Sequence, residues 1–387
     1  MALDFGLPPG TRDFGFGEAA FLRSVENELL GLLGRWGYRE IGTPTLEYLS
    51  TLDPEGAFSR SGAGQDCWKL FDQGGNILAL RPEMTVPTAR FASRALRGRG
   101  PWRLSYAAPI YRFRGDRRER RQVGVELLNL PGSAGDAEIL ALAVEVLRSL
   151  DLGVQIHLGH WGFLNGIFAA AHAPEALRER LRNALAERDL VSYGELTKAA
   201  GLSEVDRELL ARIPFWHGGV EIFDQIPPPA DDDSRRALVG LREVFALLES
   251  QGVREVRLDL GLVRDFAYYT GLVFEAYVPG LGRPILGGGR YDRLCARFGR
   301  DWSAVGFAIF LDGYLEMLES GGFRAVEPSE TVLVPAPGRE KEAHVLADGL
   351  RRRGKTITVW PWAGDLNGAG AYAAERGAST MDLGEAV

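Results

Sequence analysis

Two long strand-type runs, Trp102–Arg114 and Arg121–Leu130, flank a short charged segment, and this arrangement constrains the fold more than any other feature. Strands joined so briefly must pair antiparallel, because a parallel pair needs a crossover of a dozen residues or more. The connecting stretch, RFRGDRRERRQ from Arg112 to Gln122, holds six arginines in its first ten residues. In the second run, Gln122, Gly124 and Glu126 share one face, while Val123, Val125 and Leu127 share the other. The apolar face packs into a core. The polar face sets an amide and a carboxylate on either side of a glycine. That suits a small ligand bearing an ammonium or imidazole; a solvated sheet face accounts for the same pattern.

Around this hairpin the periodicity alternates between types. Glu18–Trp36 repeats apolar residues at helical spacing. YREIGTPTLEYL is a strand interrupted at Pro44, so it lies at an edge or changes partner there. Trp68–Phe71 and Ile77–Leu80 form a second hairpin around a glycine turn. Residues 161–252 read as helices with a polar PPPADDD loop, an inserted helical domain. The tail alternates strand and helix. The expected division is 1–160 and 253–325 as two parts of one domain, 161–252 as the insertion and 326–387 as a small α/β unit.

Composition narrows the function classes. Lys+Arg 45 against Asp+Glu 52 gives a net charge of -7, which argues against general coating of nucleic acid but leaves room for a local basic patch. The two cysteines, Cys67 and Cys295, make neither a disulfide framework nor a zinc spacing. The five histidines, His157 and His160 among them, form no ligand cluster. The N-terminal stretch has no signal-peptide pattern, and no apolar run reaches spanning length, so a soluble cytoplasmic protein is expected.

Three further segments carry polar groups that could meet a ligand. RPEMT puts Glu83 and Thr85 at a helix start, where capping and a favourable helix dipole are the simpler roles. LVRDFAYYTG sets Arg264 beside Tyr268 and Tyr269. An arginine can hold a carboxylate bidentately, and a tyrosine hydroxyl can fix a ring nitrogen; core aromatics with a surface arginine give the same pattern. LGGGRYD lacks the spacing of a phosphate loop and implies close backbone packing alone.

Together and in this order, LPPGTRDF, GYREIGTPTLEY, RPEMT, the hairpin ending in RQVGVE, LVRDFAYYTG, GGGRYDRL and AVGFAIFLD resemble histidyl-tRNA synthetase, a class II synthetase. The resemblance implies an α+β fold: an antiparallel sheet flanked by helices, with a helical insertion and a truncated anticodon-binding-like α/β domain. It also implies a homodimer built around the Pro44 region. Histidine recognition would fall to Glu83, Thr85, Arg112, Gln122, Glu126, Arg264, Tyr268 and Tyr269.

Departures from the synthetase pattern concern ATP and tRNA. The phosphate-binding hairpin keeps Arg112, but Arg114 replaces a glutamate and the loop is shorter. Arg120-Arg121 stands where the synthetase has phenylalanine-histidine. A later Gly-Leu-Glu-Arg signature reads Phe310-Leu311-Asp312-Gly313. Losing one charge-assisted contact to a phosphate costs about 1.5–3 kcal/mol. Ala267 replaces an aspartate. A kept amino-acid pocket beside a damaged nucleotide site resembles the ATP phosphoribosyltransferase regulatory subunits, a paralogous branch. That implies no catalytic residue, cofactor or metal. It implies a short-form catalytic ATP phosphoribosyltransferase as partner, L-histidine as effector, and a homodimer within a hetero-octamer. Neither nucleic acid nor membrane would be a partner. The alternative is a divergent histidyl-tRNA synthetase or another amino-acid-activating ligase.

Overall fold

The computed structural model describes residues 6–53, 67–153, 155–264, 268–325 and 329–383. The chain divides into two units, residues 1–11 with 26–321, and residues 12–25 with 322–387. Among the described residues, the strands of the first unit are β1 (Arg39–Glu40), β2 (Leu46–Tyr48), β3 (Lys69–Phe71), β4 (Ile77–Leu80), β5 (Trp102–Tyr111), β6 (Glu119–Leu128), β7 (Ile156–His160), β8 (His217–Gly218), β9 (Val256–Asp259), β10 (Leu272–Tyr277), β11 (Pro284–Arg290) and β12 (Ala304–Phe310).

Nine of them form one sheet in the order β1-β5-β6-β12-β11-β10-β7-β9-β8. The arginine hairpin is its β5–β6 pair, antiparallel as the short connection requires, with Tyr106 opposite Gly124. The sheet is antiparallel from β5 to β7, but β1 pairs parallel to β5 and β9 parallel to β7. The expected antiparallel sheet is present from β5 to β7, with parallel pairs added toward its edges. The parallel pairs are sterically possible because long stretches intervene, the whole segment 161–250 in the case of β7 and β9.

Pro44 marks a change of partner. β1 ends before it in the large sheet, and β2 begins after it in a separate sheet ordered β2-β4-β3. The segment after β7 is helical as its periodicity indicates, with Trp161–Ala170, Glu175–Ala186, Leu190–Ala199, Glu204–Arg212 and Asp232–Ser250. Two details differ from the sequence reading. This stretch also supplies β8, which closes the sheet against β9. The PPPADDD loop ends inside a helix, because Asp231 accepts from Ser234 N at 2.7 Å and caps it.

Both faces of β6 are buried. Gln122 and Glu126 are 4% and 1% exposed, so the polar side of this strand is no solvated face. In the second unit, β13 (Thr331–Val334), β14 (Ile357–Val359) and β15 (Ser379–Asp382) form a parallel sheet ordered β14-β13-β15. Val332 and Val334 pack with Trp360, Ala369 and Ala373, while Leu333 packs with Ala343, Ala347 and Leu383. Each face is thereby covered by a helix, as parallel sheets require.

Candidate functional site

Glu83 begins the site. Its carboxylate accepts from Thr85 N at 2.6 Å and Val86 N at 3.0 Å, tying it to the start of the helix Thr85–Ala95. Burial raises its pKa, against the pull of these hydrogen bonds and of the Arg112 charge. Thr85 does not cap. Its hydroxyl donates to Glu126 Oε1 at 2.9 Å.

Glu126 is the most heavily engaged carboxylate here. Besides Thr85 it accepts from the hydroxyls of Tyr106, at 3.3 Å, and Tyr291. These donors are neutral, and burial pushes its pKa up to about 8. Gly124 does leave room, but Tyr106 takes it: a Cβ at Gly124 would stand 2.5 Å from the Tyr106 hydroxyl oxygen. The space beside that glycine is thus part of the wall, not of the cleft.

Arg264, on the far side, lies 3.0 Å from Glu275 Oε1 through Nη1, with its guanidinium 5.8 Å from the centre of the Tyr269 ring. The three glycines of LGGGRYD do serve close packing. A Cβ at Gly287 would meet Arg264 Nη1 at 1.7 Å, and one at Gly289 would meet the Tyr269 ring at 2.6 Å. Tyr268 and Tyr269 are buried with ring centres 5.0 Å apart.

These groups surround a small cleft of about 30 Å³. Glu83, Thr85, Arg112, Gln122, Arg264, Tyr268 and Tyr269 line it, and Glu126 lies behind Tyr106 and Tyr291, which line it too. Two buried polar atoms in its walls have no protein partner, Gln122 Oε1 and Arg264 Nε. Its walls thus offer an amide oxygen and a guanidinium edge, with two carboxylates close by. The arrangement suits a small zwitterion with an additional polar ring. Ala267 lies outside the described residues. Among those residues, no cluster of His, Cys, Asp and Glu could hold a metal ion.

The comparisons agree on a family. A model of histidyl-tRNA synthetase matches residues 10–313. An ATP phosphoribosyltransferase regulatory subunit from Symbiobacterium thermophilum is 40% identical over 370 residues, 91% of this chain and 90% of that one. Another so named, from Moorella thermoacetica, is 38% identical over 392 residues, 99% of each. The chain belongs to the ATP phosphoribosyltransferase regulatory subunit family. A solved structure described as an ATP phosphoribosyltransferase regulatory subunit/histidyl-tRNA synthetase, from Bacillus halodurans, superposes with a TM-score of 0.87 at 31% identity over 99% of both chains. Histidyl-tRNA synthetase from Nostoc sp. PCC 7120 shares the fold, with a TM-score of 0.81 at 20% identity, over 99% of this chain and 93% of that one.

In this family member the arginine hairpin is largely satisfied from within. Arg121 pairs with buried Glu26 at 2.5 Å and Arg117 with Glu316 at 2.9 Å. Arg120 lies 3.9 Å from the Phe310 ring centre and 3.5 Å from Asp312 Oδ2. The Arg118 guanidinium stands 5.8 Å from both the Trp68 and Phe113 rings. Tyr106, Tyr291 and Glu275 were not singled out by sequence reasoning. The hairpin register, which sets Tyr106 against Gly124, was a signal for the first. No local pattern marked the other two.

Proposed function

We propose that the chain is a non-catalytic regulatory subunit of ATP phosphoribosyltransferase. It joins a short-form catalytic subunit, is required for the first step of histidine biosynthesis, and makes that step sensitive to L-histidine. The observation that carries this reading is the cleft. Seven of the eight expected histidine contacts line it, and its two unpartnered polar atoms complement an amino acid. Histidine would set its ammonium and imidazole toward Glu83, Glu126 and Gln122, and its carboxylate toward Arg264. Feedback then needs histidine to prefer one state of the assembly, and a coupling of about 1–3 kcal/mol suffices.

What supports the absence of synthetase chemistry is the filling of the neighbouring ground. Phe310 stands where the synthetase signature has glycine, and Arg120 covers it while reaching Asp312. Gly313, in place of the signature arginine, is buried in the helix Leu311–Ser320. A γ-phosphate would meet no cation from that position. A homodimer through the Pro44 region is favoured by the small sheet, where Leu46, Tyr48, Leu70, Phe71 and Ile77 are all at least 42% exposed. We take that dimer to be part of a cytoplasmic hetero-octamer; no helix among the described residues is long and apolar enough to cross a membrane.

The isolated chain is expected to show no histidine-dependent pyrophosphate exchange and to co-purify with a short-form phosphoribosyltransferase. Exchange at a synthetase-like rate would instead establish the amino-acid-activating alternative. The arginine loop has a separate test. Arg117 and Arg118 face Glu316 and aromatic rings, and the Arg117–Glu316 pair is part-exposed. Their double change to alanine should lower stability by about 1 kcal/mol or less and leave affinity for the catalytic subunit intact. A loss of complex affinity in a binding titration would put the loop at the interface.

A further inference from the structure

The Arg264 guanidinium is held at one end by β10. Its Nη1 lies 3.0 Å from Glu275 Oε1 and donates to the Phe274 carbonyl oxygen at 3.2 Å. The group lies over Gly287 of β11, directly opposite Glu275 in the sheet, where a Cβ would meet Nη1 at 1.7 Å and Cζ at 2.7 Å. Glu275 is fixed in turn. Its second oxygen accepts from the Tyr277 hydroxyl at 2.6 Å. The Tyr277 ring meets His157, the cross-strand neighbour of Glu275 on β7, edge-on at 6.3 Å. Arg264 and Glu275 are both well enclosed, with side chains 10% and 11% exposed.

How the donors are shared out is informative. A bidentate arginine–carboxylate pair spends two parallel N–H groups on one carboxylate. Here Glu275 gives one oxygen to Nη1 and the other to Tyr277. The Nε–H points to the side of the guanidinium away from Nη1, and Nε is buried in the wall of the cleft without a protein partner. A buried donor left unmade is costly, so this edge is kept for a ligand. We propose that Glu275 is a positioning residue for the ligand: by fixing Nη1 it sets the Nε edge of Arg264 toward the ligand carboxylate, and so selects an amino acid over an analogue without that carboxylate. The proposal rests on reading the cleft as a site for histidine.

Charge by itself argues the other way. Glu275 and a ligand carboxylate are both anionic and flank one cation, so removing Glu275 would leave the whole charge of Arg264 to the ligand. Position outweighs charge here. An arginine freed from its ion pair regains rotamer freedom that binding must remove again, and its fork no longer meets the carboxylate in a set plane. A site works when such supporting contacts hold the binding group in its productive geometry beforehand. Tyr277 acts one step further back, through Glu275, and its removal should have a smaller effect of the same kind.

The test is calorimetric titration of the full chain with L-histidine and with L-histidinol, which keeps the ammonium and imidazole but has a hydroxymethyl group for the carboxylate. The parent should bind L-histidine about tenfold or more tighter than L-histidinol. Glu275→Ala should weaken L-histidine by about tenfold and leave L-histidinol within about twofold of the parent. Glu275→Gln, which keeps an oxygen for Nη1, should recover most of the loss. Tyr277→Phe, at a residue 37% exposed, should weaken L-histidine alone by about threefold, and it carries the test should Glu275→Ala fail to fold. Equal losses for both ligands, L-histidine binding unchanged or tighter in Glu275→Ala, a Glu275→Gln as weak as Glu275→Ala, or an unaltered preference in Tyr277→Phe would each overturn the positioning role. A parent that binds both ligands equally would overturn it as well and leave the cleft a site for histidine. A parent that binds neither would overturn the reading of the cleft itself.

Discussion

Glu126→Gln is expected to give a protein at least as stable as the parent at pH 8 that binds histidine about a hundredfold more weakly. Both halves follow from one carboxylate. Its pKa rises from the ordinary 4.5 to about 8 on folding, chiefly through burial. Between those values the unfolded chain has released a proton that the folded chain keeps. The parent therefore loses stability as pH rises through that window, by up to about 1.4 kcal/mol per pH unit from this group. Below pH 4.5 the group is neutral in both states; above 8 the loss is complete. Glutamine can still accept from Thr85 and Tyr106 through its amide oxygen while its amide nitrogen donates to the Tyr291 hydroxyl, and it has no proton to lose, so this slope disappears. Glu83, whose pKa is also raised by burial, stays in both proteins. Denaturation midpoints at pH 6 and pH 8 should thus differ less in the variant than in the parent. Calorimetry should meanwhile show binding weakened by about 3 kcal/mol, because a cationic ligand favours the ionised Glu126 of the parent and finds only a neutral amide in the variant. A carboxylate kept for ligand binding at a cost in stability would behave this way. One kept for the fold would show the opposite.

Gly306→Ala is expected to destabilise the first unit by about 3 kcal/mol or more. Gly306 lies on β12 opposite Glu126. A Cβ there would stand 1.9 Å from Glu126 Oε2 and 2.3 Å from the Val125 carbonyl oxygen. The second contact is with backbone of the neighbouring strand, which a side-chain rotation cannot relieve, and the first drives the carboxylate off Tyr291. The same substitution at Gly349 reverses the sign. That residue is exposed in the helix Glu340–Arg352, and a Cβ there would meet nothing within 4 Å. Alanine should add about 0.5–1 kcal/mol there. Denaturant titration of the two variants distinguishes them, and equal effects would remove the packing argument at Gly306.

Much of the fold was legible because its signals act locally. The β5–β6 hairpin follows from two runs and a short gap. The change of partner at Pro44 follows from a missing donor, and the helices of 161–250 follow from their period. What could not be read depends on partners far along the chain. The parallel pairing of β7 with β9 joins residues separated by the whole helical segment. Arg121 finds Glu26 and Arg117 finds Glu316, so a stretch that on sequence leaves room for a local basic patch is mostly paired within the fold.

The site divides in the same way. Resemblance of motifs was enough to name Glu83, Thr85, Gln122, Arg264 and the tyrosine pair, which the fold brings together. It could not show that Tyr106 occupies the space beside Gly124, or that Gly287 seats Arg264, because both depend on which residues face each other between strands. The polar face of β6 was ambiguous on sequence for a related reason. Alternation says which residues share a face, while burial decides whether water reaches it.

The central claim is that histidine acts through this cleft on a partner enzyme. Its most direct test is the initial rate of short-form ATP phosphoribosyltransferase reconstituted with the parent chain or with Glu126→Gln, measured with and without saturating histidine. Both complexes should be active; histidine should depress the parent's rate and leave the variant's nearly unchanged. A parent complex indifferent to histidine, or a Glu126→Gln complex as sensitive as the parent, would contradict the claim.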